Sequence, residues 1–111
     1  MVASVTANTI GPNHVANVSP GWNSEIWVDH TKDTTYFLIQ QCQASNSTVK
    51  FDLMHHWFWT PSTGTAEKTL NCQNNGTWQQ ASWANVDTAD YSIEYTHNSP
   101  ATATYWYFIQ Y

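Results

Sequence analysis

An all-β antiparallel sandwich in a single domain spanning residues 1–111 is the fold class this sequence predicts. Three observations carry that expectation. Apolar side chains recur at period two in segment after segment, and no window sustains the 3.6-residue period of a helix. Gly-Pro, Pro-Gly and Asn-Gly pairs punctuate those segments as turns do. About eight short strands result, spaced as the strands of a small sandwich are spaced.

Taken in order, "VASVTANT" (2–9) is a short first strand, and "IGPNHVANVSPGWN" (10–23) reads as loop and turn. "EIWVD" (25–29) alternates, with Ile26 and Val28 opposite Trp27. "TTYFLIQQCQA" (34–44) is a continuous apolar run entering a polar end, which predicts a central strand buried on both faces. "TVKFDLMHHWFW" (48–59) sets Val49, Phe51 and Leu53 on one face, with Lys50 and Asp52 on the other. Continued parity places His55, Trp57 and Trp59 with Leu53, so one or both tryptophans should help fill the sandwich end. Met54, His56 and Phe58 would then face outward, just before the Pro-Ser-Thr-Gly turn.

"AEKTLNC" (66–72) and "TWQQASW" (77–83) flank Asn-Asn-Gly, a hairpin signal because Asn and Gly tolerate positive φ. "DYSIEYTH" (90–97) aligns Tyr91, Ile93, Tyr95 and His97 on one face, with Ser92 and Glu94 on the other. "TATYWYFIQY" (102–111) carries large apolar side chains on both faces. It is either a central strand covered on both sides or an edge strand that pairs with another chain.

One local pattern refines the topology. "DTADYSIEYTH" (87–97) is similar to the Asp-x-Ala-x-Tyr segment that leads into strand F of immunoglobulin-like sandwiches. The resemblance implies that the Tyr91 hydroxyl bonds back to the chain as a tyrosine corner, and that the strands follow a Greek-key order. The match covers about 11 residues. Ile93 stands where immunoglobulin domains place their second cysteine, and both cysteines lie earlier, so topology and not membership is what it implies.

Composition excludes several activities. Charged residues make up 10% of the chain; Lys32, Lys50 and Lys68 are the only basic ones, and the formal charge is −5. Nucleic acid and anionic lipid both select basic surfaces, so neither fits. No apolar run reaches the length of a membrane span. Cys42 and Cys72 are too few for a four-cysteine zinc site and show no Cys-x-x-Cys motif. They predict one disulfide, and with it an extracellular protein. Asn17, Asn46 and Asn75 each open an Asn-x-Ser/Thr site, a glycan acceptor in a eukaryotic secretory pathway.

Seven tryptophans, six tyrosines and four phenylalanines are more aromatic surface than a core of this size absorbs. Exposed aromatics imply a use. Planar rings stack on the apolar faces of sugars, while Asn, Gln and indole N–H groups bond the hydroxyls. A neutral glycan is therefore the expected ligand. Trp22, Trp27, Trp78 and Trp83 lead as candidates, Trp57 follows, and Trp106 is a further exposed aromatic. The alternative is a protein–protein surface of an assembly subunit, in a toxin particle, filament or surface layer. An oligomer is compatible with that use. A membrane-inserting toxin with "HWFWTPSTG" as its tip is a third class.

Catalysis is not expected, and no cofactor or metal is assigned. No nucleophile elbow, zincin helix or phosphate loop occurs, and there is no arginine to clamp phosphate. His55 and His56 are adjacent in an extended segment and so point to opposite faces, which argues against one shared ion.

Overall fold

The computed structural model describes residues 8–30, 33–84 and 87–111, and these form eight strands in two four-stranded antiparallel sheets. The strands are β1 (Thr9–Val18), β2 (Trp27–Asp29), β3 (Thr35–Ala44), β4 (Thr48–His56), β5 (Thr63–Asn71), β6 (Gln79–Trp83), β7 (Ala89–Tyr95) and β8 (Ala103–Gln110). One sheet has the order β1-β8-β3-β6 and the other β2-β7-β4-β5. Every connection crosses between sheets except the β4–β5 hairpin. The pairs β1·β8, β2·β7, β3·β6 and β4·β5 nest inside one another, as in a long hairpin rolled into two layers. That is the strand order of a jelly roll. It differs from the immunoglobulin order expected from residues 87–97, in which the first strand pairs with the second.

The inner faces hold the core. Phe37 and Ile39 of β3, Tyr105, Tyr107 and Ile109 of β8, and Val49, Phe51 and Leu53 of β4 are buried, as are Tyr91, Ile93 and Tyr95 of β7. Phe37 and Phe51 meet across the sheets at 4.6 Å between ring centroids. The tyrosine corner forms: the Tyr91 hydroxyl donates to the Asp87 carbonyl oxygen at 2.6 Å. The Cys42–Cys72 disulfide also forms, with Cα atoms 4.9 Å apart. It ties β3 of one sheet to the residue that follows β5 of the other.

Three expectations about elements need correction. Residues 10–18, read as loop, belong to β1. The Gly-Pro and Asn punctuation there marks irregularities inside a strand: register shifts follow Ile10 and Val15, Gly11–Pro12 is cis, and Gly11 and Asn17 have positive φ. Of the expected first strand at 2–9, residues 2–7 lie outside the described residues. Asn74-Asn75-Gly76 does not close a hairpin, because β5 and β6 lie in different sheets. The Gln41 N–H donates to the Asn75 carbonyl and the Cys42 N–H to that of Gln73, so the turn is held against β3 while the chain changes layers. Finally, β4 ends at His56, so Trp57 and Trp59 leave the core-facing alternation and are exposed.

β3 is central, between β8 and β6, and Phe37, Leu38 and Ile39 are all buried. β8 is central as well, between β1 and β3, which resolves the choice posed by the terminal aromatic run. Asn17, Asn46 and Asn75 are exposed at the end of the sandwich where β3 turns into β4. The β4–β5 tip lies at the other end.

Candidate functional site

Parity and register build one unusual surface. On the β1-β8-β3-β6 sheet the inward set is Tyr105, Tyr107 and Ile109 with Phe37 and Ile39, so their neighbours must point outward. Cross-strand pairing then sets His14, Trp106 and Gln40 in one outward row. Phe108, Leu38 and Gln80 form the next, and Gln110, Tyr36 and Ser82 a third. Trp78, just before β6, leans over this face and meets Phe108 edge-on at 4.8 Å. Leu38 is covered to 3% exposure although it points away from the core. Pro12, Leu38, Trp78, Gln80 and Phe108 line a groove of about 650 Å³. Beside it, His14 tilts against Trp106 at 5.0 Å, and Trp106 remains 37% exposed.

This sheet bears no Asp, Glu, Lys or Arg on any of its four strands. All the charged residues within strands (Asp29, Lys50, Asp52, Glu67, Lys68, Asp90 and Glu94) belong to the other sheet. Gln80 lines the groove and Gln40 and Gln110 lie in the neighbouring rows, with side-chain amides that both donate and accept hydrogen bonds. Such a face is polar and aromatic, with no charged side chain on its strands.

The five candidate tryptophans scatter. Trp78 alone reaches the groove. Trp22 is half-buried, edge-on to Tyr105 and Tyr107 at 5.8 and 5.3 Å. Trp27 is buried, stacked on Tyr111 at 5.2 Å; alternation had separated it from Ile26 and Val28 without saying which side faced in. The larger ring took the core, and the two aliphatics are exposed, Val28 on the short edge strand and Ile26 just before it. Trp83 is buried too, opposite Thr35, with its indole N–H donating to the Ala66 carbonyl at 2.7 Å. Trp27 therefore presents no ring face to a ligand, and Trp83 reaches only the wall of a cleft on the far side of the molecule from the groove. The groove residues that sequence reasoning passed over are Phe108, Leu38, Pro12 and Gln80. The only signal for them was the aromatic second face of 102–111.

The opposite sheet end holds a second feature. Trp57, Phe58 and Trp59 project from the β4–β5 hairpin with 52%, 86% and 88% exposure. At their root a cleft of about 330 Å³ lies among His55, Thr65, Lys68, Trp83, Asp87 and Tyr91. The buried Nδ1 of His55 has no hydrogen-bond partner among the described residues.

Other polar clusters have structural explanations. His56 Nε2 lies 2.8 Å from Ser92 Oγ, and Ser92 in turn donates to Asn23 Oδ1 at 3.0 Å. Because the hydroxyl proton goes to Asn23, His56 is the donor in its contact. Ser92 is fully buried, so this Ser–His contact offers no accessible nucleophile. Asp52 Oδ1 accepts the N–H groups of Thr65 and Ala66 and shapes the bulge opposite. Burial pushes its carboxyl above the usual range; those hydrogen bonds lower it, and nearby Glu67 raises it further. Among the described residues no group of three or more His, Cys, Asp or Glu side chains converges on a point where a metal could bind. No helix among them is long and apolar enough to cross a membrane.

No protein-family model, curated protein or solved structure gives a significant match to the chain.

Proposed function

We propose that this protein is an extracellular, non-catalytic binding module that holds a neutral glycan on the outer face of the β1-β8-β3-β6 sheet. The observation that carries the reading is the coincidence of partly exposed rings, amide side chains and strands without charge on that one face. Trp78 and Phe108 shape the groove, and Trp106 offers a neighbouring platform for the apolar face of a sugar ring. Gln80 lines the groove and Gln40 lies beside Trp106 in register, where their amides can bond hydroxyls. A sugar carries no charge to be paired, so a charge-free surface loses nothing by binding it. A charged ligand would leave its ion desolvated against rings and amides. The disulfide is compatible with an oxidising compartment.

Titration with a panel of neutral polysaccharides tests this, read by tryptophan fluorescence and by light scattering on the same sample. Saturable binding to a monomer, weakened at least about tenfold by Trp78→Ala or Trp106→Ala, supports the reading. No response to any sugar, together with a concentration-dependent oligomer broken by the same substitutions, would make this face an assembly surface instead.

A further inference from the structure

The Trp57-Phe58-Trp59 tip is a separate surface, at the end of the sandwich away from the disulfide and on the other sheet from the groove. It is convex and held in shape. Trp57 packs on His55 at 4.0 Å between ring centroids, and its indole N–H donates to Thr63 Oγ1 at 2.9 Å. Phe58 and Trp59 meet edge-on at 4.4 Å. From Leu53 to Ala66 there is no Asp, Glu, Lys or Arg, so the hairpin end is a neutral aromatic wedge. Nothing in the fold requires these rings to be outside: β4 has ended, and the chain could return to β5 with polar residues alone.

We propose that this wedge docks the protein on a zwitterionic lipid surface, with Phe58 and Trp59 entering the interfacial layer and Trp57 at the headgroup level. Three arguments select that occupant. Tryptophan and phenylalanine are favoured at the membrane interface, where an aromatic body meets a hydrated headgroup. A three-residue projection is too small to supply the roughly 1,000 Å² that a specific protein interface buries, whereas a bilayer closes around a protruding tip. Charge then chooses the lipid. The chain has no arginine, its formal charge is −5, and Asp87 and Asp90 lie at the same end as the tip. An anionic bilayer would be repelled, since such surfaces are held by clusters of Lys and Arg.

The cleft at the root of the wedge strengthens the choice. Its lining includes one ammonium group, Lys68, and one carboxylate, Asp87, beside the His55 ring, whose buried Nδ1 has no hydrogen-bond partner among the described residues. A zwitterionic headgroup offers the matching pair, a phosphate and a quaternary or primary amine. His55 connects the two features, because it lines the cleft and supports Trp57.

The test is co-sedimentation of the full chain with phosphatidylcholine vesicles, with and without phosphatidylserine. Burial depth is read by quenching of tryptophan fluorescence with bromine-labelled phosphatidylcholine. The expected result is binding to pure phosphatidylcholine that weakens as phosphatidylserine is added. The double variant Phe58→Ala/Trp59→Ala should bind at least about tenfold more weakly. Both side chains are exposed, so that variant should keep the melting temperature of the parent. Trp78→Ala should bind vesicles like the parent. Absence of binding to phosphatidylcholine, equal binding by the double variant, or binding that requires phosphatidylserine would each overturn the proposal. So would a dimer abolished by the double substitution in a protein that ignores vesicles.

Discussion

Trp78 meets Phe108 edge-on at 4.8 Å, and the pair closes over Leu38, which points outward yet is nearly inaccessible. Edge-to-face pairs of this kind contribute beyond the area they bury. Trp78→Ala should therefore do two things at once. It should cost about 1–2 kcal/mol in urea denaturation by uncovering Leu38 and Phe108. It should also abolish the sugar-induced fluorescence response. Full sugar binding by a destabilised variant would mean that the groove is packing and not a site.

The Tyr91–Asp87 hydrogen bond supports the connection that leads into β7. Tyr91→Phe keeps the ring in the core and removes only the hydroxyl, leaving the Asp87 carbonyl without its side-chain donor. A loss of about 1–2 kcal/mol is expected from equilibrium unfolding. A change within about 0.5 kcal/mol would show that solvent replaces that donor without penalty.

Reduction of Cys42–Cys72 opens a loop with a sequence separation of 30. In the chain-entropy description that loop stabilises the fold by roughly 3–4 kcal/mol. For a domain of this size the melting temperature should fall by on the order of 10–20 °C. Scanning calorimetry with and without a phosphine reductant measures this. An unchanged midpoint, with reduction verified by mass, would place the stability elsewhere.

Asp52 gives a pH dependence of unusual sign for a carboxylate. Its folded-state carboxyl titrates above the ordinary value, chiefly because it is buried. The fold therefore prefers the neutral acid: the contribution is fully present below the unfolded pKa and is lost as pH rises through the folded one. Asp52→Asn retains an oxygen to accept from Thr65 and Ala66 and has no charge to desolvate. The variant should melt modestly higher than the parent at pH 7, with the difference shrinking toward pH 3. A variant less stable at pH 7 would show that the charged form of the two hydrogen bonds outweighs the burial cost.

Much of the fold was legible because local chemistry decides it. Alternation, apolar runs and turn signals together located seven of the eight strands, and the central position of β3 followed from an apolar run on both faces. The tyrosine corner was legible for the same reason, since its two partners, Asp87 and Tyr91, are only four positions apart. β1 was missed because cis Gly11–Pro12 and two register shifts write turn chemistry into a strand.

The site was another matter. Alternation says that Trp27 opposes Val28 and that Trp106 opposes Tyr105, but it is silent about which set faces the partner sheet. That choice belongs to the pairing of distant strands. Only the nesting of β1 with β8 and β3 with β6 shows that four uncharged segments form one sheet while the charges gather on the other. Composition determined that this protein would be acidic, aromatic-rich and poor in basic side chains, and residue pattern made it a β-sandwich. Tertiary structure decided which rings became core, which became a groove and which became an exposed tip. The physical reason is that ring burial is set by contacts between residues tens of positions apart, and a period-two pattern carries no information about them.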